Sequence, residues 1–361
     1  MKKRILAGIV AIVIIVVASA SYYYLTLPSG PTTLVFNMYG GAYEGAFRNA
    51  YVTPFEQKYN CKIEFATGTM SDWYTKIDTA NGVNPPYDFG PLDVNYYLPL
   101  INKSLIEGVP QAQLPNLSNL FPEAIEKGCY IKDGKVYVIV SPSFGSIGIA
   151  YRTDKVTNPP TKWSDFWKSE YKGNILISPL TFGAGLQMFV GTIREMGGHE
   201  NNETDVAKAF QMLQELKPNI AIFSSSSGEL TNYLTRGDIA MCAWWDGRVL
   251  GLQTQGVPVN FSIPQGATYT FGNWVIYKGT KNYDLCVKFM NWMMDPQPTE
   301  QFDNQLNYYS PNRLVTPNVN VSKLWGMLPQ QALQTYSQMD YAYITAHLDD
   351  WVTRWNSALG T

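Results

Sequence analysis

The residues best equipped for chemistry in this chain are aromatic rings and isolated acids. They cluster in four short runs: Tyr39-Gly40-Gly41-Ala42-Tyr43, Asp93-Val94-Asn95, Trp244-Trp245-Asp246-Gly247 and Phe271-Gly272-Asn273-Trp274. A ring face attracts a cation through its quadrupole, and a carboxylate nearby pairs an ammonium. Together such runs make a box for an organic cation. Taken singly, each has a plainer reading: a lone Trp or Tyr packs into a core, Asp246-Gly247 makes a turn, and Gly40-Gly41 opens a helix. The backbone amides where helices start after Gly41 and Ser226 could hold an anion.

Enzyme motifs are absent. There is no G-x-x-x-x-G-K-[ST], no G-x-S-x-G (Gly145-Ser-Ile-Gly148 does not match) and no H-E-x-x-H. Histidine occurs only at His199 and His347, far apart in the chain, which excludes most histidine-based metal sites and hydrolase triads. A hydrolase of surface polymers would need a pair of acids facing one cleft, and Asp93 with Asp246 is the sole candidate. The adjacent tyrosines Tyr96-Tyr97 and Tyr308-Tyr309 would suit ferric iron, although such pairs arise by chance among 24 tyrosines. No cofactor is expected.

These residues need a scaffold, and the composition supplies one. A chain of 361 residues holds about two domains. Charged residues are only 16 % and aromatics 14 %, which excludes disordered, collagen-like and coiled-coil chains. Setting aside Lys2, Lys3 and Arg4 leaves 24 basic against 29 acidic residues, the wrong sign for a nucleic-acid binder. Those three bases precede an uncharged apolar run over residues 5–20, the pattern of an export signal, with Ala18-Ser19-Ala20 as a cleavage point. Read on through Tyr22-Tyr23-Tyr24 to Leu27, the run is long enough to span a bilayer, so an uncleaved anchor is the favoured reading. Cys61, Cys129, Cys242 and Cys286 lie far apart without a C-x-x-C pair and read as buried free thiols. N-x-S/T sequons stand at Asn102, Asn116, Asn202, Asn260 and Asn320.

Strand and helix patterns alternate. Strands are expected at residues 34–36, 62–66, 136–140, 148–151, 174–178, 220–223, 239–244, 259–263 and 274–277. Phe47, Tyr51, Phe55 and Tyr59 recur every fourth residue, and Val206, Phe210, Leu213 and Leu216 mark a second helix stopped before Pro218. Strands with helix-length connections mean an α/β protein with mostly parallel sheets, whose ligands bind beyond the carboxyl ends of the strands.

The order of several segments resembles the extracellular solute-binding proteins of ABC importers, in the spermidine/putrescine-binding branch. Asn37-Met-Tyr-Gly-Gly-Ala-Tyr43 with Pro54-Phe-Glu-Gln-Lys-Tyr59 resembles the family's opening strand and helix. Gly148-Ile-Ala-Tyr-Arg-Thr-Asp154, Trp163-Ser-Asp-Phe-Trp167 and Glu170-Tyr-Lys-Gly-Asn174 look like its entry into the second lobe. Gly237-Asp-Ile-Ala-Met241 with Trp245-Asp-Gly247, then Tyr308-Tyr-Ser-Pro-Asn312 and Trp351-x-x-x-Trp355, resemble its central strand and closing elements.

The resemblance implies a two-lobed periplasmic-binding-protein-like type II fold, hinged by crossovers near residues 142–145 and 272–275. The implied division is 1–30 as signal or anchor plus linker, 31–143 with 275–315 as the first lobe, and 144–274 with 316–361 as the second. It implies a monomer at the extracellular face of the membrane. That monomer delivers a small cationic or zwitterionic solute to a permease and its ATPase. The ligand-binding positions carried over are Tyr39, Tyr43, Asp93, Asn95, Trp245, Phe271, Asn273 and Tyr308, and the residues themselves add Ser226 and Asp246. The acids that polyamine binders carry after the first strand of the second lobe have no counterpart in residues 178–183, and an expected Asp is Asn273. A smaller amine, or an amine that also carries an acid, fits as well. Ferric iron, thiamine or a sugar on the same fold is the alternative.

Overall fold

A computed structural model describes residues 30–360. The signal or anchor segment expected at residues 1–30 lies outside them but for Gly30, and no helix among the described residues is long and apolar enough to cross a membrane. Eleven strands among the described residues join in one hydrogen-bonded sheet: β1 (Thr32–Met38), β2 (Cys61–Thr67), β3 (Phe89–Pro91), β4 (Val109–Pro110), β5 (Tyr130–Lys132), β6 (Lys135–Arg152), β7 (Ile175–Ile177), β8 (Ile220–Phe223), β9 (Met241–Trp245), β10 (Val259–Ser262) and β11 (Tyr269–Ile276). The order β2-β1-β3-β11-β6-β9-β7-β8 places β6 at the junction, with β4, β5 and β10 also paired to it.

Each half is built on parallel strands: β1 with β2 and β3 in one, β7 with β8 and β9 in the other. Parallel strands need helices on their faces, which buries both sides and accounts for runs such as Leu34 to Met38 and Ile175 to Ile177. The sequence pattern gives two strands along β6, at residues 136–140 and 148–151. β6 is one strand of 18 residues, because two antiparallel partners hold its two ends. Residues up to Ser146 pair with β11, and from Ile147 onward they pair with β9. The chain returns to the first half between Ser262, which ends β10, and Tyr269, which opens β11.

The cores follow the same division. One gathers Leu34, Phe36, Phe47, Phe89, Trp274 and Phe289 among others, with a satellite around Trp73 and Tyr277; the other gathers Trp163, Phe189, Trp244 and Trp351. The segment expected wholly in the second lobe, 316–361, is shared: Val321, Trp325 and Leu333 join the first core, and Met339 onward joins the second. The helix predicted from Phe47, Tyr51 and Phe55 forms, and all three are fully buried. Its middle, Arg48–Val52, widens to a π-turn between the helices Ala42–Phe47 and Thr53–Tyr59. All four cysteines are free thiols.

Candidate ligand-binding site

The carboxyl ends of the parallel strands in each half make two rims. On the first, β1 runs out at Met38 into Tyr39 and the turn Gly40-Gly41, where Gly41 at φ 74° takes a left-handed conformation that glycine adopts without strain. The turn starts the helix Ala42–Phe47 and sets Tyr43 edge-on to Tyr39 at 5.3 Å. Tyr39 is also edge-on to Trp73 at 5.9 Å, and the Tyr43 hydroxyl lies 3.2 Å from that of Ser141. β3 runs out into Asp93, which opens the helix Val94–Asn102 with extended backbone but without using its carboxylate as a cap. Asp93 as a residue is exposed, and its carboxylate has no hydrogen-bond or ion-pair partner among the described residues. The surrounding protein raises it to about 6, since enclosure disfavours the charged form. Asn95 is half-buried on the same first turn.

Asp93 also acts across to the other half. Its charge holds up the ionisation of Tyr39, Tyr96 and Tyr97 and of Tyr341, after the burial of each ring. Tyr341 opens the helix Tyr341–Leu359 of the second core, and its hydroxyl lies 3.5 Å from Thr270 Oγ1. The two halves therefore approach at Asp93 and Tyr341.

On the second rim β9 ends in Trp245, which is half-buried and edge-on to Phe182 at 5.6 Å and to Trp244 at 5.0 Å. A Cβ on Gly183 would stand 3.3 Å from the Trp245 ring, so glycine there leaves the indole its place. Ser226 follows β8 and caps the helix Ser227–Arg236 by accepting the Glu229 amide at 3.4 Å; it is exposed. Tyr308 lies over the junction, so close to Gly145 and Gly247 that a Cβ on either would meet its ring at 2.9 and 2.7 Å.

Three expected ligand residues are engaged by the fold instead. Asp246 is fully buried and accepts from Ser146 N at 3.2 Å, Gly247 N at 2.7 Å and Trp325 Nε1 at 2.9 Å. Burial raises it to about 7, against the pull of those donors. Its role is to join β6, β9 and the helix Val319–Trp325. We predict that Asp246→Ala lowers the melting temperature by leaving three buried donors unpaired, each at about 1–3 kcal/mol; an unaltered melting curve would contradict this. Phe271 is 5 % exposed and packs on Phe144 and Tyr269 at 5.6 and 5.1 Å. Asn273 sits past a bulge in β11 and donates to Gly128 O at 2.8 Å. The paired tyrosines diverge: Tyr309 is buried and donates to Met327 O, and Tyr97 packs in the satellite core. Among the described residues no cluster of three or more His, Cys, Asp or Glu could hold a metal.

One residue escaped the sequence reading. Arg248, next after Trp245-Asp246-Gly247, is exposed and forms no ion pair among the described residues. It lies close enough to Tyr308 to favour that phenolate, although burial and Asp246 raise Tyr308 further. Its signal is the run Trp245-Asp246-Gly247-Arg248, in which it follows the strand end.

Known proteins resemble the chain over most of its length. The chain is 25 % identical over 288 residues to the spermidine/putrescine-binding periplasmic protein of Escherichia coli K12, covering 74 % of this chain and 78 % of that one. It is 26 % identical over 278 residues to a gamma-aminobutyric acid-binding protein of Pseudomonas aeruginosa, covering 75 % and 74 %. The crystal structure of an ABC transporter from Clostridium perfringens superimposes with a TM-score of 0.72 at 24 % identity, covering 90 % of this chain and 99 % of that one. The model of the bacterial extracellular solute-binding proteins matches residues 50–329, and the chain belongs to that family.

Proposed function

We propose that this chain captures a small amine-bearing solute between its two lobes outside the cytoplasmic membrane and delivers it to an ABC permease. The observation that carries this is Asp93: a carboxylate without a partner, on an exposed residue, close enough to Tyr39 to act on its hydroxyl, with the Tyr43 ring edge-on to Tyr39. An ammonium there gains a charge-assisted hydrogen bond and ring faces at once. Trp245 on the opposite rim supplies a further face. Tyr341 and Tyr308, from the second core and the junction, let a ligand touch both halves. Binding then favours the closed arrangement by population shift, which a permease can read. The apolar run behind Lys2-Lys3-Arg4 would hold the protein at the outer face as a monomer.

The test is a thermal-shift screen of the full chain against diamines, amino acids, betaines, thiamine, ferric iron and short sugars. Binding to the native state raises the melting temperature by mass action. A rise with amines supports the reading, and a rise only with iron or sugars overturns it. Trp245→Ala should weaken the active amine by about 1–3 kcal/mol through loss of a stacking face, read by titration calorimetry. Unchanged affinity would remove Trp245 from the site.

A further inference from the structure

Asp303 is a buried acid that the fold leaves unpaired. It lies on the helix Pro296–Leu306 and is 3 % exposed. Neither of its carboxylate oxygens has a hydrogen-bond partner among the described residues. The buried Asp246, by contrast, has three donors. Burial pushes the Asp303 carboxyl well above the ordinary range, against the pull of the Ser310 hydroxyl. That hydroxyl is already committed: it accepts the Asn312 amide at 3.0 Å and donates to Pro142 O at 3.5 Å. Protonation would discharge Asp303 without giving it a partner. A bound cation does both, and buried charges in proteins are paired or ligate metals.

Neutral oxygens converge here from three other segments. Ser141 and Pro142 are consecutive in β6, at its crossover. Pro142 O meets Ser310 Oγ, and Ser141 Oγ lies 3.2 Å from the Tyr43 hydroxyl. The Tyr43 ring packs edge-on to Phe302, the residue before Asp303, at 5.1 Å. The Asp303 carbonyl accepts the Tyr308 amide at 3.2 Å, which brings the segment carrying Ser310 back over the same helix. The contacts thus close from Asp303 through Ser310, Pro142, Ser141 and Tyr43 to the helix on which Asp303 sits. Hydroxyl, carbonyl and carboxylate oxygens suit a hard cation. One carboxylate among neutral oxygens matches a single positive charge. A divalent ion calls for more acids, and no cluster of three or more His, Cys, Asp or Glu among the described residues could hold one.

We infer that Asp303 anchors a buried monovalent-cation site, completed by neutral oxygens of Tyr43, Ser141, Pro142 and Ser310. The cation ties β6 at its crossover to Tyr43 on the first rim. The site does not depend on which solute the chain carries. Its test is the melting temperature of the full chain, without added solute, in sodium chloride and in caesium chloride at equal ionic strength. The two salts screen surface charge alike, and caesium is too large for the place a sodium ion takes. Sodium should raise the melting temperature over caesium by about 3 °C or more, saturably, as a ligand of the native state does. Asp303→Asn, which keeps the shape and removes the charge, should abolish the difference. Ser310→Ala, which keeps the carboxylate, should raise the half-saturating sodium concentration about threefold or more, the effect of one lost oxygen ligand. Equal melting of the wild-type chain in the two salts overturns the site, as a buried water at Asp303 would give. A sodium response that Asp303→Asn retains overturns it as well.

Discussion

Asp93→Asn should weaken binding of an amine solute about tenfold or more at pH 7.5 and flatten its pH dependence. The amide keeps the shape and loses the charge. A charge-assisted hydrogen bond contributes about 1.5–3 kcal/mol; Asp93 is exposed, which favours the lower half of that range. The wild-type pH profile follows from the carboxyl at about 6, raised by enclosure from an ordinary value of about 3.9. Above pH 6 Asp93 is ionised and pairs the ammonium, which stays charged throughout. As pH falls through 6 the acid protonates in the empty protein, and affinity falls with it. The effect on folding has the opposite sign. The raised value disfavours the folded state above pH 6, and that penalty fades as pH drops toward 4. Asp93→Asn therefore leaves the empty protein no less stable at neutral pH. Calorimetry at pH 5, 6, 7 and 8 checks both parts. A pH dependence that survives the substitution, centred near 7, would instead assign the titrating group to Asp246, which sits at about 7.

Trp274→Ala should destabilise the protein by about 3–5 kcal/mol, the range for emptying a buried aromatic site. Trp274 is fully buried on β11, the strand between β3 and β6. Its ring stacks on Phe47 at 4.7 Å and an interplanar angle of 11°, and meets Phe89 at 5.3 Å. Phe47 is the first residue of the four-spaced aromatic row, so removing the indole loosens that helix from the sheet. Against a total of about 5–15 kcal/mol, this is a large share. Urea denaturation of the empty protein measures it, and a loss under 1 kcal/mol would refute the assignment of Trp274 to the keystone of the first core. Trp274→Phe should cost less, because a ring remains against Phe47. The half-buried Trp245 makes the contrast: its truncation should move affinity more than stability.

Both expectations depend on a distinction between tryptophans that periodicity cannot draw. Trp244, Trp245 and Trp274 are equally aromatic in sequence, and all lie in strands. Only packing turns two inward completely and leaves the third at the rim. Likewise Asp93 and Asp246 each follow a strand as isolated acids. Three donors occupy Asp246, one of them Trp325 from a helix near the end of the chain, while no donor reaches Asp93.

The sequence by itself determined the alternation of strands and helices, the strand ends, the rings of Tyr39, Tyr43 and Trp245 at those ends, and the likeness to solute-binding proteins. These are local properties: hydrophobic period reports that a residue is buried, and Gly, Ser and Pro report where an element stops. Tertiary structure alone decided that β6 is one strand serving both halves, and that Val321, Trp325 and Leu333 join the first core. It also withdrew Asp246, Phe271 and Asn273 into the fold and left Arg248 open. The reason is common to all of these. Whether a polar or charged group is spent on the fold or left for a ligand depends on which partner lies within about 3 Å, and that partner comes from a distant part of the chain.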